Sequence, residues 1–156
     1  MALTVRFIDT SVLCNLVDVP GRNQDRDRIR EEFAALLEEG LTRFVIPVTS
    51  IVETGNHIAN ASGDRRAAAE QLERFLRLAS SDEPPWQLHA VTWDADFLRR
   101  LRDGASTGST LIDHLGNGTM GTGDLAILCE RDEFRARTNF DDVEVWTLEA
   151  TMGAYA

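Results

Sequence analysis

The amino-acid sequence predicts an α/β protein, a single domain whose mainly parallel central sheet is flanked by helices on both faces. Three observations predict it. Short apolar runs of strand length recur along the chain, each is followed by a stretch with apolar residues at helical spacing, and no linker is long enough to divide it. Strands alternating with helices join in parallel through right-handed crossovers, which leave a helical layer on each face of the sheet. A chain of 156 residues fits one domain, 1–156, that buries roughly 68–70% of the surface its unfolded form exposes.

The elements follow in order. "VRFIDT" (5–10) is an apolar run closed by turn and cap residues, hence a buried strand with a helix beginning near Ser11. Between Asp25 and Glu39, Ile29, Phe33, Leu36 and Leu37 share one helical face, and Gly40 supplies the stop. "RFVIP" (43–47) is a second strand, Thr49 to Ile58 a helix, and Gly63 separates it from a helix carrying Leu72, Phe75, Leu76 and Ala79. After the loop "SSDEPP", "WQLHAV" (86–91) is a third strand candidate, and Thr92 is placed to cap a helix bearing Phe97, Leu98 and Leu101. "GASTGST" and "GNGTMGTG" are glycine-rich, mobile connections around a short "LIDHL". "DLAILCERDEFRAR" (124–137) is a helix, "VEVWTL" (143–148) a fourth strand, and a brief tail ends the chain.

Composition narrows the chemistry. No apolar run approaches 18 residues and the start is not signal-like, so a cytoplasmic protein with no membrane partner is expected. Cys14 and Cys129 are far apart and form no CxxC, which indicates neither a disulfide framework nor a thiolate metal site. The net charge of −10 argues against broad binding to nucleic acid by phosphate neutralisation alone. All 16 basic residues are arginines, so P-loop and Schiff-base chemistry are excluded. Arg26, Arg28 and Arg30, and likewise Arg99, Arg100 and Arg102, read as solvated helix faces, with phosphate tracking as the alternative. His57, His89 and His114 lack zinc-like spacing and read as structural or surface residues.

The glycines of "GNGTMGTGDLAIL" match GxGxxG at Gly116, Gly118 and Gly121. A dinucleotide fingerprint needs a strand before it and a further strand after its helix, yet "LIDHL" is short and polar, and too little chain follows. The run is read instead as a connection that delivers Asp124 to the first turn of a helix. Three more acids occupy comparable places: Asp9 at the end of the first strand, Glu53 shortly after the second, and Glu149 after "VEVWTL". The carboxyl ends of parallel strands share one edge, so these four can converge there. Clustered carboxylates repel one another and are relieved by hard divalent cations. Structural roles compete with this reading, since Asp and Glu make up 26 of 156 residues. Asp9 would cap a helix, Asp124 would meet a helix dipole, Ser50 and Glu53 match a capping box, and Asp94 and Asp96 suit a helix start. On those roles the chain is a non-catalytic nucleotide-binding or regulatory α/β module.

The strings "FIDTSVL" (7–13), "IPVTSIVETGNHI" (46–58) and "GTGDLAIL" (121–128) resemble the PIN-domain ribonucleases, most closely the toxin half of bacterial VapBC-type toxin–antitoxin pairs. The resemblance covers most of the chain and implies a single PIN-like nuclease domain. It implies that Asp9, Glu53 and Asp124 are metal-binding acids and that Ser11 supports the first. A fourth acid in the family usually ends the next strand as an Asp after a Thr. Here "WTLE" offers Thr147 and Glu149, Asp113 is another candidate, and Asp141 and Asp142 precede that strand. The implied activity is Mg²⁺- or Mn²⁺-dependent endoribonucleolytic hydrolysis of RNA, with the acids as ligands and rim arginines holding flanking phosphates. A cognate antitoxin and a homodimer are implied by the same resemblance.

Overall fold

The protein is described by a computed structural model that covers residues 2–156. Strand β1 (Thr4–Ile8) lies at the centre of a three-stranded sheet, between β2 (Thr42–Val45) and β3 (Asp142–Trp146), and both pairings are parallel. Crossovers between the strands carry the helices: α1 (Thr10–Leu16) and α2 (Arg26–Glu39) join β1 to β2. Between β2 and β3 run α3 (Val48–Asn60), α4 (Arg65–Ser80), α5 (Ala95–Arg102), α6 (Leu111–Asn117) and α7 (Thr122–Arg137), and α8 (Ala150–Gly153) closes the chain.

Side-chain alternation along the strands sorts the core into two layers. Val5 and Phe7 of β1, Val45 of β2, and Val143 and Val145 of β3 face one side, where α5, α7 and Met152 of α8 cover them. Ile8, Phe44 and Trp146 face the other, against α1, Ile29 of α2, Ile58 of α3 and Ala68 of α4. Both faces are therefore buried, which is why these strands read as nearly continuous apolar runs. No helix among the described residues is long and apolar enough to cross a membrane.

Four sequence expectations are corrected. "WQLHAV" is not a strand. It meets β2 at one parallel bridge, Phe44 with Trp86, through Phe44 N–H to Pro85 O at 2.7 Å and Gln87 N–H to Phe44 O at 2.9 Å. The next donor, Leu88 N–H, goes to Asp82 Oδ1 at 2.9 Å, and Trp86 is drawn into an aromatic cluster with Phe33, Phe44 and Phe75. The apolar content of the segment thus serves packing rather than a ladder. The cap of α5 is Asp94, not Thr92, because its carboxylate accepts the Phe97 N–H at 2.9 Å. Asp96 in the first turn pairs with Arg99 and Arg100, as a helix-start acid should.

"LIDHL" forms α6 rather than part of a loose connection, capped by Thr110 and ended by Gly118 in the left-handed region at φ 65°. Gly116 lies inside that helix and Gly121 is the N-cap of α7, so the GxGxxG run ends one helix and opens the next instead of following a strand. His114 is structural, bonded through Nε2 to Thr107 Oγ1 at 2.7 Å and through Nδ1 to Thr119 Oγ1 at 2.8 Å. Finally, β3 stops at Trp146, and the expected tail turns into α8.

Candidate functional site

Asp9 follows the last residue of β1 and extends the ladder through its N–H to Trp146 O at 3.0 Å. Its carbonyl starts α1 by accepting from Val12 and Leu13, but its side chain makes no cap bond. The carboxylate is used differently on its two oxygens. Oδ2 accepts from Ser11 Oγ and from Thr147 Oγ1, each at 2.7 Å, while Oδ1 is buried without a partner. Both hydroxyls are oriented by the backbone, because Leu148 N–H donates to Ser11 Oγ at 2.9 Å and Glu149 N–H to Thr147 Oγ1 at 3.0 Å. A hydroxyl that accepts from an N–H turns its own proton outward, here onto Asp9. Ser11 and Thr147 thus support Asp9 directly.

The capping box expected of Ser50 and Glu53 does not form. α3 begins at Val48 with Pro47 as N-cap, which puts Ser50 and Glu53 inside the helix. Ser50 instead donates to Ile8 O at 2.8 Å, fastening α3 to the end of β1. Glu53 Oε1 accepts from Thr10 Oγ1 at 2.7 Å, so the first residue of α1 holds the second acid.

Asp124 enters from the first turn of α7. Burial, then the charges of Asp9 and Glu53 and more weakly that of Glu149, raise its pKa to about 6, although the Gly121 backbone favours the ionised form. The preceding residue, Gly123, lies against Glu53: a Cβ there would stand 2.7 Å from Glu53 Oε2. Glu149 is the exposed N-cap residue of α8 and makes no side-chain cap bond.

These four acids line one cavity of about 340 Å³, together with Thr10, Ser11, Arg22, Asp25 and His57. Asp113 is exposed in α6 and is not part of its wall. Asp142 sits at the opposite end of the sheet, where its Oδ2 accepts from Thr4 Oγ1. The acids share a cavity rather than a point: among the described residues no three His, Cys, Asp or Glu groups are close enough as they stand to ligate one ion.

The contacts of Thr10 and Gly123 and the place of Arg22 in the wall were missed by sequence reasoning. Thr10 stands between two residues already noticed, and a hydroxyl beside a strand-ending acid was its available signal. Gly123 precedes Asp124, but its closeness to Glu53 arises only from the packing of α7 on α3. Arg22 had no signal in the sequence. His57, read as structural or surface, lies one turn beyond Glu53 in this wall; burial and then Arg22 lower its pKa, against the pull of Glu53. No family model, curated protein or solved structure matches this chain, so the functional reading rests on the chemistry of this cavity and on the motifs that build it.

Proposed function

We propose that the chain is a metal-dependent endoribonuclease in which Asp9, Glu53, Asp124 and Glu149 hold Mg²⁺ or Mn²⁺ and RNA phosphodiester bonds are hydrolysed. The observation that carries this reading is the buried Asp9 carboxylate, one oxygen fixed by two hydroxyls and the other without a partner, in a cavity with three further acids. A buried anionic oxygen without a hydrogen bond is costly, and hard divalent cations favour carboxylate donors. The residues fit such an ion chemically. Bringing three acids onto it requires side-chain rotation, which the exposed Glu149 accommodates most readily.

When bound, the ions supply water activation and charge stabilisation at the scissile phosphate. Ser11 and Thr147 hold Asp9 in one orientation, and Thr10 does the same for Glu53. Asp124, with a pKa of about 6, is largely ionised at neutral pH and contributes its charge there. Following the sequence resemblance, the chain is the toxin of a type II toxin–antitoxin pair that works as a homodimer. Its antitoxin would block the cavity with an arginine paired to the carboxylates.

The competing module reading assigned the acids to helix caps, and the side chains of Asp9 and Glu53 make no cap bond. The deciding experiment is cleavage of total RNA in Mn²⁺ by the wild type and Asp9→Asn, with calorimetric Mn²⁺ binding to both. Metal-dependent cleavage lost in the variant is expected. Full activity of Asp9→Asn, or no wild-type binding at millimolar Mn²⁺, overturns the proposal.

A further inference from the structure

The cavity has one arginine in its wall, and that arginine is uncommitted. Arg22 is exposed and forms no ion pair with any described residue, although Asp25 and the four acids line the same cavity. The α1–α2 loop accounts for this. Asp18 accepts from Asn23 Nδ2 at 2.5 Å and from Arg26 Nη1 at 3.2 Å, and Asp25 pairs with Arg28 at 3.3 Å. Both loop acids therefore have cations of their own. Asn15 Oδ1 accepts the Asp25 N–H at 3.0 Å and Val19 O accepts the Arg22 N–H at 2.9 Å, so the loop is tied down at Arg22 and again at Asp25.

Arg22 acts on His57 and Cys14, as Glu53 does on both and Asp9 on Cys14. Burial dominates both of those shifts, lowering the His57 pKa and raising that of Cys14; Arg22 pulls each downward. A free guanidinium in the same cavity as a carboxylate cluster suits a ligand that meets cations at one point and needs a planar donor fork at the next. A phosphodiester chain is such a ligand.

We infer that Arg22 is a phosphate-binding residue that holds the RNA phosphate adjoining the scissile one, from the wall of the cavity that the four acids line. This rests on the metal-nuclease reading of the same cavity. By this assignment Arg26 and Arg28, which the sequence grouped as a basic cluster, are spent on the loop, and the working contact comes from the arginine outside that group.

The test uses a short fluorescein-labelled oligouridylate with Ca²⁺ in place of Mn²⁺, followed by anisotropy across a salt series, and Mn²⁺ calorimetry without RNA. Arg22→Ala should weaken RNA binding about tenfold, as expected for loss of a charge-assisted hydrogen bond. It should also make the salt dependence shallower by about 0.7 in log–log slope, the signature of one lost phosphate on a single strand. Mn²⁺ affinity should not change, and Arg22→Lys should keep the slope. Normal Mn²⁺ binding with unaltered RNA affinity and slope in Arg22→Ala overturns the assignment and leaves the metal reading intact. Absence of Mn²⁺ binding in the wild type overturns the metal reading and the assignment together.

Discussion

The two oxygens of Asp9 make separable predictions. In Asp9→Asn the amide oxygen still accepts from Ser11 and Thr147, while an NH₂ group replaces the unpartnered Oδ1. Thermal melts without metal should therefore match the wild type to within about 1 kcal/mol, while calorimetry shows Mn²⁺ binding abolished. Gly123→Ala separates positioning from charge: its Cβ, 2.7 Å from Glu53 Oε2, pushes that carboxylate off Thr10. Crowding is partly offset by the better helix propensity of Ala, so a stability loss of about 1 kcal/mol is expected. Mn²⁺ affinity should fall at least about tenfold; an unchanged affinity would show that the Gly123 contact has no part in the site. Asp9 and Asp124 were legible as residues of one cavity because an acid at the edge of an element leaves a mark in a linear pattern, and Glu53, inside α3, by its place shortly after β2. The contacts of Thr10 and Gly123 were not, because each is defined by a neighbour on another element, and no linear pattern marks Arg22 as part of the cavity wall.

Helices α3 and α7 meet around a group that sequence position did not reveal. α7 is buried from Leu125 to Arg131, and within it Glu130 is fully buried with neither oxygen hydrogen-bonded. Burial raises its pKa from 4.5 to about 7, with the Val48 backbone at the start of α3 pulling the other way and Glu133 adding a smaller upward push. Between those two values the folded chain holds a proton that the unfolded chain has released, so stability falls as pH rises from 4.5 to about 7 and then levels off. Glu130→Gln removes the titration. Its melting temperature should exceed the wild type's at pH 8, by on the order of 2–3 kcal/mol in stability, with little difference at pH 4.5. Scans at both values check this, and equal shifts would exclude Glu130 as the titrating group. Ser50 is the other joint of α3: Ser50→Ala leaves Ile8 O without its donor and should cost about 1 kcal/mol by denaturant melts. A helix is readable from its apolar spacing, but a helix buried all round leaves no polar stripe, which is why α7 was found and its depth was not. "WQLHAV" failed for the opposite reason, since strand-like composition cannot show that Asp82 takes the next backbone donor.

At the scale of the molecule, a chain with a net charge of −10 and four acids in one cavity should gain more from a bound dication than from monovalent salt. Mn²⁺ at about 100 times its dissociation constant should stabilise the fold by about 2.7 kcal/mol. Calorimetric scans with and without EDTA measure the gain, and Asp9→Asn should show none. The α/β class was legible because two buried faces leave apolar strands between amphipathic helices. The sheet's order was not, since placing β1 between β2 and β3 depends on pairings across the whole chain. That placement also has a consequence for synthesis. Asp9 leaves the ribosome 138 residues ahead of Thr147, whose hydroxyl it accepts from. Over that interval the growing chain carries this acid without β3 beside it, so a chain made only as far as β2 holds no completed cavity.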